Sequence, residues 1–272
     1  QSQTDSYRRI RNTFRYLIGN LDGFTNEEKI DETDFPDLEK FILHRLWEMD
    51  KTIKECVKTF NLHLMFTTLL NFCSNDLSAF YFDIRKDVIY CDGKKSIERR
   101  SSRTLLDIIF NYLVRWFAPS LSFTTEEAWK SRNNNSSIHL EDFLITPESY
   151  KNSEVNDIWI TLKQIRKVIT GALEKKRADK IIGSSLEAHI DIYLEKSILE
   201  KVKNYQLDEI SITSSFELHE ITSNSKGFSL EEVSDVKVEV SKTSGQKCQR
   251  CWKYKKQLIR DEICSRCDNA IS

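Results

Sequence analysis

The sequence predicts a mainly α protein, in which an antiparallel helical bundle is followed by a small α+β module and a four-cysteine zinc ribbon. Three observations support this fold class. The 272 residues include only 7 glycines and 3 prolines, which favours long helices. Apolar residues recur at helical spacing through much of the chain but alternate strictly at residues 186–194. Two Cys-x-x-Cys pairs then occupy residues 248–267.

The predicted bundle occupies residues 1–150 and contains five helices. They are expected at residues 6–21, 37–60, 62–80 and 104–117, with a short fifth helix that begins at Thr124. The second helix carries one apolar stripe, formed by Ile42, Leu46, Met49, Ile53, Val57 and Phe60. The fourth is apolar on nearly all sides and should be the most buried. Thr124 and Glu127 have the spacing of a capping box. Helices with short connections predict an antiparallel bundle.

The α+β module is predicted at residues 151–241, after a polar, turn-rich stretch at residues 131–143. It begins with a long helix at about residues 156–177. The alternating residues 186–194 predict a half-buried strand. Further short strands are expected at residues 207–212, 216–221 and 236–240. The last predicted domain is a zinc-binding knuckle at residues 242–272, called the cysteine module below.

The two cysteine pairs indicate one structural metal ion. Zinc prefers four tetrahedral ligands, and thiolate is among those it prefers. The predicted ligands are Cys248, Cys251, Cys264 and Cys267. Four thiolates leave no coordination position open for water, which makes the site structural rather than catalytic. About thirty residues bury too small a core to fold alone, so the ion is expected to hold the module together. Redox dithiols and a chance spacing are the alternatives.

Basic residues cluster in several places, although the net charge of the chain is only −1. The candidates for RNA contact are Arg8, Arg11, Arg15, Arg99, Arg100, Arg103, Lys176, Lys180, Arg250, Trp252, Lys253 and Lys255. Cations beside aromatic rings suit a phosphate backbone and stacked bases. Alternatively, each run is a solvated helix face, and Trp252 and Tyr254 form the small core of the cysteine module. DNA is less favoured because no helix-turn-helix or reading helix is visible.

Catalytic motifs are absent from the sequence. It contains no Gly-x-Ser-x-Gly, Walker or Gly-x-Gly-x-x-Gly segment. The five histidines show no metal-ligand spacing with one another; they are His44, His63, His139, His189 and His219. The chain alone is therefore not expected to be a catalyst. No apolar run approaches the roughly 18 residues of a membrane span, so no membrane contact is expected.

Several segments resemble, in order, the C-terminal portion of the isoleucyl-tRNA synthetases, a class I family. They are SYRRIRNTFRYLIGNLDGF at 6–24, NFCSNDLSAFYFDIRKDVIYCD at 71–92, FAPSLSFTTEEAW at 117–129, IGSSLEA at 182–188 and the cysteine pairs. The resemblance implies an anticodon-binding helical domain of the class I synthetase type and a terminal zinc module. The activation signatures of the family are absent here. The resemblance therefore implies that ATP and Mg²⁺ bind in upstream domains outside this sequence.

The resemblance also implies a partner, a location and an assembly state. It implies that tRNA-Ile is held by its anticodon arm while upstream domains carry out aminoacylation and editing. A monomer in a bacterial-type cytoplasm is expected, with the mitochondrial matrix less favoured. Two alternatives stay open. One is the C-terminal part of a valyl-type synthetase, although that type typically ends in a coiled-coil arm. The other is a stand-alone zinc-ribbon RNA-binding protein.

Overall fold

A computed structural model describes residues 2–133 and 136–271, and most of them are helical. The chain divides into two compact units. The first comprises Gln1–Tyr90 and Lys94–Ser153, and the second comprises Cys91–Gly93 and Glu154–Ser272. Asn134 and Asn135, in the predicted turn-rich stretch, lie outside the described residues, as do the two terminal residues. The division into three domains stays a prediction.

The first unit is the predicted helical bundle. Its α-helices are α1 (Ser2–Asn20), α2 (Asp37–Lys58), α3 (Leu62–Asn71), α4 (Phe82–Cys91), α5 (Ile97–Phe117) and α6 (Ser122–Lys130). A π-helix at Phe72–Tyr81 joins α3 to α4. Asn61 caps α3, since its side chain accepts a hydrogen bond from Leu64 N at 3.2 Å. This cap marks the turn between α2 and α3.

Aromatic side chains form the centre of the bundle, where α1 packs against α5. The ring of Phe14 meets Phe110 and Phe117 edge to face, with centroids 6.4 and 6.0 Å apart. Tyr16 stacks on Phe82 at 4.2 Å. Full burial of such a ring contributes about 1.5–3 kcal/mol. As predicted, α5 is the most buried of the described helices, with buried side chains along nearly its whole length from Ser101 to Phe117.

Two details of the predicted bundle are wrong. The apolar stripe of α2 is buried from Ile42 to Ile53, but Val57 and Phe60 are 38% and 85% exposed. The helix ends at Lys58, and Phe60 adopts a left-handed φ of +55° that turns it to the surface. The predicted capping box is also absent. Helix α6 begins two residues before Thr124, with Leu121 at the N-cap.

Helix α5 begins seven residues earlier than its apolar pattern indicated. Ser96 is its N-cap, and the Ser96 hydroxyl accepts a hydrogen bond from Arg99 N at 3.3 Å. Arg99, Arg100 and Arg103 therefore lie on the first turns of a helix. The apolar pattern of α5 begins only after Thr104, because the turns before it carry charged side chains that make contacts within the chain, described below.

The second unit is the predicted α+β module with the cysteine module. It contains α7 (Ser153–Ala178), β1 (Ala188–Leu194), α8 (Lys196–Val202), α9 (Leu207–Ser211), β2 (Ser215–Glu220), β3 (Phe228–Leu230), β4 (Val233–Lys242), β5 (Gln246–Lys247), β6 (Tyr254–Lys255) and α10 (Ser265–Ile271). The main sheet has the order β2-β1-β4-β3, with β1 parallel to β2 and antiparallel to β4. The predicted alternation of β1 is confirmed, since Ala188, Ile190, Ile192 and Leu194 are fully buried.

One predicted strand of this unit is wrong. Residues 207–212 form the short helix α9, which buries Leu207 and Ile210 three positions apart. Ile212 then takes a left-handed φ of +60° and ends the helix. The six residues LDEISI, of which three are apolar, fit either state, and contact with α7 decides it here: Arg166 Nε donates to Ile210 O at 2.9 Å. Among the described residues, no helix combines the length and apolar character that a membrane crossing needs.

Candidate metal centre and nucleic-acid interface

The four predicted metal ligands come together in the cysteine module. The Sγ atoms of Cys248, Cys251, Cys264 and Cys267 all lie within 4.8 Å of one another, and all four side chains are buried. Two short loops bring them there. Trp252 N donates to Cys248 O at 2.9 Å, and Cys248 N donates to Lys253 O at 3.0 Å, which folds the first Cys-x-x-Cys pair into a tight knuckle. The second pair starts α10.

The spacing of the sulfurs fits a tetrahedral ion. Zn–S bonds of about 2.3 Å place the sulfurs of a tetrahedron about 3.8 Å apart. The Sγ atoms of Cys251 and Cys264 are 3.8 Å apart. A disulfide requires a bond of about 2.0 Å, and all four cysteines are free. The four buried cysteines could therefore hold a metal ion.

The environment of the thiols differs from one to the next. Burial raises the pKa of Cys248, but backbone N–H groups of Cys251, Cys264 and Arg250 lower it to about 6 overall. Burial raises the pKa of Cys251, and the neighbouring thiolates raise it further. Burial also raises the pKa of Cys267. A bound cation would offset both the burial and the mutual repulsion, because metal coordination deprotonates a thiol outright.

Cys91 also packs against this cluster, and its role was missed from the sequence. It is 8% exposed and lies among the four ligands and Ile263. Arg250 donates from Nη1 to Cys91 O, and Arg266 pairs with Asp92 at 2.6 Å. Residues 91–93 thus support the cysteine module. Residues 71–92 resemble the synthetase family, and this resemblance marks the segment in the sequence. It gives no indication that Cys91 contacts the cysteine module.

Trp252 projects from the first knuckle into solvent. Its side chain is 59% exposed, and its backbone has a left-handed φ of +65°. This conformation costs a residue with a Cβ of order 1–3 kcal/mol and is usually occupied by glycine. Lys247 Nζ lies 5.3 Å from the Trp252 ring centroid. The exposed ring with a nearby cation excludes the alternative that Trp252 is the core of the module.

A basic cleft lies beside the cysteines. It has a volume of about 370 Å³, and its cations come from Lys253, Lys255, Lys256 and Arg266. Lys253 is only 9% exposed and pairs with Asp208 at 3.3 Å, so its charge is largely engaged within the chain. Lys255 is half-buried and Lys256 is exposed. Of the other two basic candidates in this unit, Lys176 is half-buried near the end of α7, and Lys180 is exposed just beyond it.

The basic candidates of the bundle divide into two groups. Arg8, Arg11 and Arg15 lie exposed on α1. Arg11 makes a bidentate pair with Glu127 at 3.0 and 3.1 Å, and Arg8 pairs with Asp5 at 2.8 Å. Arg11 and Arg15 border an open cleft of about 500 Å³. These three arginines present a basic face to solvent.

The second group holds the bundle together. Arg103 donates to both carboxylate oxygens of Glu28 and to the carbonyls of Asn20 and Asp22, at 2.6–3.2 Å. Arg100 donates to the carbonyls of residues 27, 28 and 29. Arg99 Nε donates to Ile89 O at 3.1 Å. Arg100 and Arg103 thus fix the segment between α1 and α2, and Arg99 ties the start of α5 to α4, so each arginine has a structural role. Their role as RNA ligands stays a prediction.

Comparison with known proteins identifies the family to which this chain belongs. The family described as the anticodon-binding domain of tRNA ligase matches residues 39–192, which run from α2 into β1. The match covers more than half of the sequence. The chain therefore belongs to the anticodon-binding domain family of tRNA ligases.

Several isoleucine–tRNA ligases are similar to this chain. The one from Pelagibacter ubique is 46% identical over 94% of this chain. Those from Ruegeria pomeroyi and Bartonella henselae are 40% and 42% identical over 98% and 96% of it. In each case the aligned region is 27–28% of the relative. The chain thus spans a little over a quarter of the length of the relatives it matches.

Proposed function

We propose that the chain is the C-terminal, tRNA-binding portion of an isoleucine–tRNA ligase. It would position tRNA-Ile by its anticodon arm for the ATP-dependent aminoacylation and editing that other domains of the enzyme carry out. The observation that carries this proposal is the 40–46% identity to isoleucine–tRNA ligases across nearly the whole chain, including the cysteine module. The relatives named above favour neither the stand-alone RNA-binding protein nor the valyl-type alternative.

The division of labour has a physical reason. Packing of one extra methylene discriminates isoleucine from valine by only about 1–3 kcal/mol, so such enzymes add an editing site. The same tRNA must then be presented to two reaction centres. Firm contacts far from both centres allow this, because they hold the tRNA independently of the position of its acceptor end. The ATP and Mg²⁺ of the activation step belong to the upstream domains in this proposal.

The bundle and the cysteine module would recognise different features of RNA. Loop bases can be splayed out, stacked on aromatic rings and read at their edges, whereas duplex RNA is recognised mainly by shape and backbone. The exposed arginines of α1 suit backbone phosphates. Trp252 suits a stacked base, and Lys255 and Lys256 in the basic cleft suit the adjoining phosphates. In this proposal one Zn²⁺ ion holds the four thiolates and keeps Trp252 in its strained, exposed conformation.

The wider setting is also part of the proposal. The relatives are bacterial proteins, which supports a bacterial cytoplasm. A monomer is proposed because one tRNA-binding surface per chain suffices for the function. We also propose that residues 1–150, 151–241 and 242–272 are the three domains of this portion.

Binding of tRNA by the 272-residue chain is expected to depend on both salt and anticodon. Filter binding would compare a tRNA-Ile transcript with the same transcript carrying a replaced anticodon, over a salt series. We expect tighter binding to the native anticodon and a loss of affinity as salt rises, because each neutralised phosphate releases counterions. Equal affinity for both transcripts at every salt concentration would contradict anticodon recognition by this chain.

The role of Trp252 can be separated from folding by exploiting its left-handed backbone. Trp252→Gly removes the ring and relieves the strain, so metal content and unfolding temperature should be kept or improved. The affinity for tRNA-Ile should fall about 5- to 150-fold, since stacking on one base is worth about 1–3 kcal/mol. Filter binding and metal analysis of the same preparations provide the measurement.

Trp252→Phe is the matched variant, because it keeps an aromatic face at the same position. It should bind tRNA-Ile more tightly than Trp252→Gly. A glycine variant that binds as tightly as the original chain would show that Trp252 does not stack on the RNA.

A further inference from the structure

The solvent-facing side of the main sheet carries an unusual row of charges. Side chains of β1 alternate, so His189, Asp191 and Tyr193 lie opposite to the buried face. Asp191 pairs in register with Glu217 of β2 on one side and with Glu239 of β4 on the other. Three carboxylates thus stand side by side across three strands. Like charges directly opposite each other destabilise a sheet, so a positive charge beside this row would stabilise it.

Two histidines flank the middle carboxylate of this row. His219 Nε2 is 2.8 Å from Asp191 Oδ1 and 4.0 Å from Glu217 Oε2. His189 Nε2 is 3.7 Å from Asp191 Oδ2. The residues His189, Asp191, Glu217 and His219 are called the sheet cluster below. No sequence pattern indicates this cluster, because the two histidines are 30 positions apart and come together through the parallel pairing of β1 with β2.

The second nitrogen of His189 has a partner of its own. Nδ1 lies 2.8 Å from Ser215 Oγ. When Nδ1 carries the proton and donates to this hydroxyl, Nε2 presents a lone pair towards Asp191 Oδ2. A metal-ligating histidine is usually held in this way, with its other nitrogen donating to an oxygen. The distance of 3.7 Å between His189 Nε2 and Asp191 Oδ2 is close to the spacing of two ligand atoms on one tetrahedral ion. That spacing is about 3.3 Å when the bonds to the ion are 2.0–2.1 Å long.

We propose that the sheet cluster binds a divalent transition-metal ion, separate from the ion of the cysteine module. The ligands are His189 Nε2, one oxygen of Asp191 and one of Glu217, whose ligand atoms lie within 4.8 Å of one another. One imidazole with two carboxylates suits a borderline cation such as Zn²⁺, Co²⁺ or Mn²⁺. His219 is a positioning residue, because its hydrogen bond orients Asp191 and its ring is stacked on Tyr193 at 5.0 Å.

The ion would fasten an edge of the sheet that supports the cysteine module. β2 is an edge strand, held on one side only, by β1. Just before it, Ser214 Oγ accepts a hydrogen bond from Tyr254 N at 2.7 Å, and Tyr254 lies in β6 of the cysteine module. A metal bridge between β1 and β2 neutralises the acidic row and stabilises this edge.

The test counts metal ions in the intact chain. Protein is first loaded with one equivalent of Zn²⁺, which the thiolates retain in preference to Co²⁺. It is then dialysed against Co²⁺, and both metals are measured by mass spectrometry. We expect one zinc and one cobalt per chain. The cobalt should show weak absorption without thiolate charge-transfer bands, since its ligands are nitrogen and oxygen.

Two variants decide whether the cobalt occupies the sheet cluster. His189→Ala should lose the cobalt and keep the zinc, whereas His63→Ala, which removes an exposed histidine on α3, should keep both. Co²⁺ should raise the unfolding temperature of the original chain by a few degrees and leave that of His189→Ala unchanged. The proposal is overturned if the original chain retains no cobalt, or if His189→Ala retains a full equivalent.

Discussion

Replacement of both Cys248 and Cys251 by serine is expected to abolish metal binding by the four-cysteine site and unfold the cysteine module while the bundle stays folded. Two thiolates remain, and serine hydroxyls do not replace the other two as zinc ligands. The binding free energy of a structural zinc ion, about 10–16 kcal/mol in zinc-finger peptides, is largely folding free energy. The loss therefore exceeds what the small core of the module can supply. Metal analysis and amide hydrogen exchange over residues 242–271 measure both effects.

The same double variant should bind tRNA-Ile more weakly than Trp252→Gly does. Unfolding the module removes the stacking ring together with the ordered basic cleft, whereas the glycine variant removes the ring alone. Cys56→Ala is the matched control, since Cys56 is a buried cysteine of the bundle and lies far along the sequence from the ligands. It should keep the metal and the affinity for tRNA-Ile. Unchanged metal content in the double serine variant would refute the assignment of the thiolates.

Local patterns predicted most of the elements, because their cause is local. The strict alternation at residues 186–194 became β1, and the long apolar stripes became α2, α5 and α7. The cysteine pairs were predictable for a similar reason, since each Cys-x-x-Cys turn is a short-range geometry. Residues 207–212 were mistaken for a strand because so short a mixture of apolar and polar residues fits either state, and contact with α7 selects the helix.

Contacts between distant segments account for what the sequence did not reveal. Arg100 and Arg103 form part of a basic run that appears free to bind RNA when only charge is considered. In the fold, residues 20–29 wrap around their guanidinium groups and use most of their donors. The sheet cluster likewise depends on which strands pair and in what register. Such pairing is decided by the whole fold, so a periodicity within one segment cannot indicate it.

The buried ion pair between Glu39 and Arg85 gives the second large expected effect. Glu39 is fully buried and Arg85 is 4% exposed. Arg85 donates to both carboxylate oxygens at 2.7 Å, and the hydroxyls of Tyr81 and Ser102 donate to Oε1 at 3.0 and 3.2 Å. Burial and then the charge of Glu39 raise the pKa of Tyr81, so its hydroxyl stays protonated and donates. The ion pair thus links α2 to α4, and the hydrogen bond from Ser102 links α2 to α5.

Glu39→Gln is expected to lower the free energy of unfolding of the bundle by about 3–5 kcal/mol, because it leaves the Arg85 charge buried without its counter-charge. Urea denaturation followed by far-ultraviolet circular dichroism measures the change. The midpoint should fall while the slope with denaturant stays the same, since the surface exposed on unfolding is unaltered. A loss of this size is a large fraction of the stability of a typical domain.

Two further variants show that burial, and not the ion pair as such, causes this loss. Glu127→Gln breaks the bidentate pair between Glu127 and Arg11. The side chain of Glu127 is 66% exposed and that of Arg11 is 50% exposed. It should be indistinguishable from the original chain, because solvent screens exposed pairs. Combining Glu39→Leu, Tyr81→Phe and Arg85→Met removes the buried charges together with the tyrosine hydroxyl, and should be more stable than Glu39→Gln alone. Equal stability of Glu39→Gln and Glu127→Gln would mean that water reaches Arg85 in solution and screens its charge.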